Sequence, residues 1–198
     1  MTSREDALQL LESWVENEGL RNHMRCVEAA VRFYARRFSA DEEQWGLAGL
    51  LHDLDWEKHP EEHPLRAVEV LRERGCSEEV LHAILAHRHG FTGVAPESQL
   101  DKVLLACDEI TGLVTASALV RPNGIDDLEA KSVRKKMKDA AFARGVDREE
   151  VKQGAELLGV ELGEHIQNVI EAMRPIAREL GLTGAQVRGE AAAEPGPA

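Results

Sequence analysis

The chain has only three cysteines, Cys26, Cys76 and Cys107, scattered and odd in number. That argues against a disulfide framework and for a reducing compartment. No apolar run approaches the roughly 18 residues that a membrane-spanning helix needs. Met1 to Asn17 is acidic and amphipathic, without the basic-then-apolar order of a signal peptide, so the expectation is a cytoplasmic protein with no membrane partner. Positive charge is also scarce: 24 Lys and Arg face 36 Asp and Glu among 198 residues, a net charge of −12. This sign is wrong for a phosphate backbone, so nucleic acid is not an expected partner. No stretch alternates β-branched residues, no segment repeats, and neither a Gly-x-Ser-x-Gly elbow nor a glycine-rich phosphate loop occurs. The three cysteines lie in apolar contexts without an activating partner, which leaves nucleophilic thiol chemistry unsupported.

What is present reads as helices. Ser3 can cap a helix with Leu8, Leu11 and Val15 inward, ending near Gly19. Val27, Ala30, Val31, Tyr34 and Phe38 recur at helical spacing in a second, and Asp41 can cap a third. Asp55 to Pro60 reads as a loop, Pro64 suits the first turn of a fourth helix running to Gly75, and Ser77 can cap a fifth. A longer helix is expected from Ser98 to about Val120, stopped by Arg121-Pro122-Asn123-Gly124. Beyond it, Asp126 can open a basic helix with Lys131 to Lys138, Asp147 and Glu150 fit a capping box, and a last amphipathic helix runs from Leu162 to Leu180. The expected fold class is therefore all-α, a single helical domain over residues 1–182 with a disordered tail at 183–198.

Eight histidines stand out by position. His23 lies in line with an apolar helix face, His52-Asp53 closes a helix, His63 precedes Pro64, and His87 shares a face with Val80 and Ile84. Asp108 follows the apolar run Val103 to Cys107, where an unpartnered carboxylate is costly. Any one of these is most simply a hydrogen-bonded core residue. A divalent cation would remove the cost for all of them together, since imidazole and carboxylate are suitable ligands. Spacing by itself does not show that they converge.

The order His23, His52-Asp53, Asp108 resembles the H…HD…D signature of the HD superfamily of metal-dependent phosphohydrolases. His63 to Leu71 and Ile84 to His89 are similar to the segments that supply extra histidines in two-metal members, and Val103 to Leu113 to the segment carrying the last aspartate. The resemblance covers residues 20–122, with a helical extension over about 125–182 outside it. His87-Arg88-His89 replaces two adjacent histidines, Gly112 stands where a lysine is expected, and no Gly-Tyr-Pro follows, so cyclic-dinucleotide cleavage of the HD-GYP type is not expected.

The resemblance implies an HD-type helical bundle in which His23, His52, Asp53 and Asp108 hold one divalent ion. His63 and His87 would hold a second, with Asp53 bridging and also orienting the attacking water. Histidine-rich ligation favours Mn, Fe, Co, Ni or Zn over Mg. The implied activity is hydrolysis of a phosphate ester in a nucleotide or small phosphorylated metabolite. Arg88 and Lys58 are the cations expected to act on substrate phosphate, with Arg66 and Arg121 as further candidates. Lys131 to Lys138 reads as an ordinary charged surface, His59, His82 and His165 as surface residues, and His89 as undecided. Two other functions fit the same ligands: a diiron oxygenase, as some HD-fold proteins are, and a metal-binding regulatory module without turnover. A homodimer is an assembly the sequence leaves open.

Overall fold

The computed structural model describes residues 3–189, and among these it contains no strand, only an isolated bridge between Gly124 and Thr183. Eleven α-helices follow one another among the described residues. α1 (Arg4–Trp14) starts where the Ser3 hydroxyl accepts from Asp6 N. α2 (Glu18–Phe38) starts at Asn17, whose side chain accepts from Leu20 N. The first helix therefore stops at Trp14 rather than near Gly19, because Asn17 caps a new helix and puts Gly19 in its first turn. Asp41 caps α3 (Glu42–Leu51), and α4 (Leu65–Glu73) follows Pro64. Ser77 caps α5 (Glu78–Ala86), after which α6 (His89–Thr92) makes one turn. α7 (Gln99–Leu119) opens with a capping box in which Ser98 and Asp101 satisfy each other's backbone N–H groups.

α7 is the centre of the molecule, packed against α2, α3, α5, α9 (Arg148–Leu158) and α10 (Leu162–Met173). It is accordingly apolar almost all round. Two glycines allow the tightest helix contacts. A Cβ on Gly49 of α3 would stand 2.8 Å from Glu28 Cα of α2, and one on Gly154 of α9 would stand 2.6 Å from Ala106 Cα of α7. The C-terminal helices are thus seated directly on the helix that carries Asp108.

Several boundaries differ from expectation. α8 (Ala130–Met137) begins after Glu129, not at Asp126, because the Asp126 carboxylate accepts from Gly184 N and Asp127 pairs with Arg121. α10 ends at Met173 and passes into a 3-10 turn (Arg174–Ile176), since Pro175 lacks the N–H that would continue it. Part of the segment expected as a disordered tail is ordered: α11 (Gly184–Val187) lies there and Arg188 donates to Pro122 O. The rest of that expectation, 190–198, lies outside the described residues.

Candidate metal centre

Four histidines and two aspartates from five regions of the chain meet in two triads. His23, His52 and Asp108 form one, and Asp53, His63 and His87 the other, with the offered ligand atoms of each within 4.8 Å of one another. α2 brings His23, the end of α3 brings His52 and Asp53, the turn before α4 brings His63, the end of α5 brings His87, and α7 brings Asp108. The convergence that spacing left open is present.

All four imidazoles are oriented in the same sense. Each Nδ1 is engaged outside the centre and each Nε2 points into it. His52 Nδ1 donates to Gly49 O (2.8 Å) and His87 Nδ1 to Ile84 O (2.5 Å). His63 Nδ1 donates to Asp55 Oδ1 (2.7 Å), and His23 Nδ1 lies 3.4 Å from Thr111 Oγ1. Carbonyl and carboxylate oxygens accept only, so a proton sits on Nδ1 and Nε2 is the atom left to offer a lone pair to a cation. Fixing the far nitrogen in this way is how metal-ligating histidines are held.

Two observations test whether the donor set suits a cation. His52 Nε2 is fully buried and has no hydrogen-bond partner. The Nε2 atoms of His63 and His87 face each other at 3.2 Å, two lone pairs that need a proton or a cation nearby. Asp53 stands between the triads with its oxygens divided. Oδ2 lies 3.5 Å from His52 Nε2 and 3.8 Å from His23 Nε2, while Oδ1 lies 3.3 Å from His63 Nε2 and 3.7 Å from His87 Nε2. Asp108 Oδ1 is 2.9 Å from His23 Nε2 and 3.5 Å from His52 Nε2. The set fits divalent ions with a bridging carboxylate.

The electrostatics agree. Burial opposes ionisation of Asp53, but His52 and His87 hold it below the usual carboxylate range, and His52 and His23 do the same for Asp108. Burial opposes charge on His52 as well, yet Asp53 and Asp108 outweigh it and raise the ring to about 9. A cation in the first triad would replace that proton.

The centre opens into a cleft of about 250 Å³. Arg88 lines it, its guanidinium 5.5 Å from the centre of the Trp56 ring, and forms no ion pair among the described residues. Lys58 does not line it; its ammonium donates to Ser13 O and lies over Trp14, so the turn after His52-Asp53 points this side chain at α1. Arg66 is taken up by Glu62 and Glu69, and Arg121 by Asp127. His89 lies in a neighbouring depression, with Glu150 and Phe91.

His165, expected at the surface, is fully buried. Its Nε2 donates to Ala106 O (2.9 Å) and its Nδ1 accepts from the Tyr34 hydroxyl (2.7 Å), a link between α10, α7 and α2. Exposed His59 was expected, and the ring instead packs half-buried against Trp14, while His82 pairs with the buried Asp101. Sequence reasoning placed Asp55 only in a loop, although it is buried and orients both His63 and, through Ala67 N (2.9 Å), the start of α4. Its sole signal was proximity to His52-Asp53. Glu109, Gly145 and Val146 also line the cleft and were not anticipated. Glu109 is pushed up to about 7 by burial, with Asp108 beside it, and accepts from Asp147 N (2.9 Å), which ties the loop before α9 to the rim.

No curated protein gives a significant match to the chain. Residues 20–113 match the family model of the HD domain, a stretch that runs from the start of α2 into α7 and contains all six residues of the two triads. Family match, helical bundle and convergent His/Asp set agree that residues 20–113 form an HD domain, the domain of a superfamily of metal-dependent hydrolases.

Proposed function

We propose that the protein is a metal-dependent phosphohydrolase that cleaves a phosphate ester in a nucleotide or small phosphorylated metabolite. The division of the Asp53 oxygens between two histidine-rich triads carries this reading. His23, His52 and Asp108 would hold one ion, His63 and His87 a second, and Asp53 both. Divalent ions in such a site make water nucleophilic near neutral pH and offset charge on the oxygens of an in-line displacement.

The chain's own groups supply the remainder. Arg88, unpaired and beside the triads, is positioned to take a substrate phosphate through charge-assisted hydrogen bonds. Trp56 flanks that guanidinium and meets the His63 ring edge-on, restricting both. Asp55 and the Gly49 and Ile84 carbonyls hold the imidazoles so that no reorganisation is needed when ligands engage.

The test is a screen of phosphomonoesters, nucleotides and dinucleotides for phosphate release by the purified chain with Mn, Co, Ni, Zn or Mg. Metal-dependent turnover that disappears in Asp53→Asn is expected. Oxygen consumption by the iron-loaded protein without hydrolysis would make it an oxygenase. Bound metal with neither activity would make it a binding module.

A further inference from the structure

A second depression, of about 280 Å³, opens beside the cleft. Cys26 of α2, Ala116 and Leu119 of α7, and Leu180 and Leu182 of the C-terminal segment line it. Among the described residues no Asp, Glu, Lys or Arg does, although 30% of the chain is charged, and its polar members are Asn22, Thr115 and His23. It shares His23 and Gly112 with the cleft.

Helical register explains the continuity. On α7, Asp108, Gly112, Ala116 and Leu119 follow one another at spacings of four, four and three, and on α2 His23 and Cys26 are three apart. Side chains so spaced share a face. The faces that hold the first triad therefore continue as the apolar walls of the groove, and an occupant of the groove has one end at the triad. Gly112 sits at the junction, where even a Cβ would reach 3.5 Å from Val146 Cγ2 across the gap. The cleft itself has one cationic side chain, Arg88, against Asp53, Asp108 and Glu109. Beside the ions that the triads would hold, that single guanidinium offers a contact to one phosphate group.

We infer that the substrate is a phosphate monoester whose organic portion is compact, uncharged and apolar, an alkyl or aryl group seated in this groove with its phosphate at the triads. The inference rests on the phosphohydrolase reading above. In the reaction, water adds to phosphorus, the bond from phosphorus to the ester oxygen breaks, and that oxygen leaves as the alcohol with a proton from the water, giving inorganic phosphate.

The experiment uses the full chain loaded with Mn and two series, alkylphosphonates from methyl to pentyl for binding by calorimetry and the matching alkyl phosphates for turnover. Each methylene buried in the groove is expected to tighten binding about fourfold, and kcat/KM to rise in parallel. Two variants address the groove without touching a triad residue: Ala116→Leu fills it, and Leu119→Asp, at a position 52% exposed, sets a carboxylate in its wall. Both are expected to flatten the chain-length dependence. Flat binding and turnover in the unmodified protein overturn the inference while leaving phosphohydrolase activity intact. A flat series together with concentration-dependent dimerisation that Leu119→Asp abolishes assigns the groove to a second copy and also overturns it. Length-dependent phosphonate binding with no turnover of any ester supports the groove and refutes the hydrolase reading instead.

Discussion

Replacing Asp55 by asparagine should weaken metal binding at the proposed second site, His63 and His87 with Asp53, and spare the proposed first. Asp55 is fully buried and uses both oxygens: Oδ1 accepts from His63 Nδ1 at 2.7 Å and Oδ2 from Ala67 N at 2.9 Å. An amide of the same shape has one acceptor and one NH2 group, so only one of these donors can be satisfied. A buried donor left unpaired costs about 1–3 kcal/mol. If the amide oxygen turns to Ala67 N, the NH2 group faces His63 Nδ1, and the ring relieves the clash only by moving its proton to Nε2, the atom aimed at the centre. If it turns to His63, the first turn of α4 loses its anchor. Both routes disturb His63, and loss of such an orienting partner typically lowers metal affinity 10–100-fold. That range equals about 1.4–2.8 kcal/mol, within the cost of the unpaired donor. The first triad has separate supports, Gly49 O for His52 and Thr111 for His23, and should keep its affinity. Calorimetric titration of metal-free protein with Mn reads both sites, and urea unfolding confirms that the variant is folded. A second-site affinity within twofold of wild type, or an equal loss at both sites, would refute the reasoning.

Three further outcomes follow from the geometry. Arg88→Ala should lower kcat/KM for phosphate esters by roughly 10–100-fold, the worth of a charge-assisted hydrogen bond, without changing metal content; unchanged kinetics would remove Arg88 from the site. Gly154→Ala places a Cβ 2.6 Å from Ala106 Cα, so the usual helix-propensity gain of alanine should be reversed into a loss of about 1–3 kcal/mol in urea unfolding. A stabilised variant would show that α9 does not press on α7 there. Burial holds the His165 ring below its ordinary value, so below pH 6.5 the unfolded chain binds the proton that the folded one refuses, and stability falls as pH falls. The difference in urea midpoint between wild type and His165→Asn should therefore shrink between pH 7.5 and 5; a constant difference would refute a neutral buried ring.

Helix starts were legible because their caps are local. Ser3, Asp41, Ser77, Ser98 and Asp147 each hold a backbone N–H within three residues, a contact that depends on sequence neighbours alone. Asp126 misled because its carboxylate is engaged by Gly184, 58 residues away. The six residues of the two triads were legible as a set through their resemblance to a family pattern, whereas Lys58 was misplaced, since only the turn geometry decides that its stem runs toward Trp14. His165 was misread, and the role of Asp55 in its loop went unnoticed, for the same reason: a polar residue is recognisable as buried only once its partners, Tyr34 and Ala106 or His63 and Ala67, are known.

Residue identity and spacing alone determined that this chain is helical, acidic and equipped with a histidine-aspartate set in HD order, because helical periodicity, caps and charge are properties of short stretches. Tertiary packing decided that the four imidazoles face one centre, how Asp53 divides its two oxygens, that Arg88 rather than Lys58 reaches the cleft, and that an apolar groove adjoins it. Those are relations between side chains tens of residues apart, and they exist only once α7 has α2, α5 and α9 packed around it.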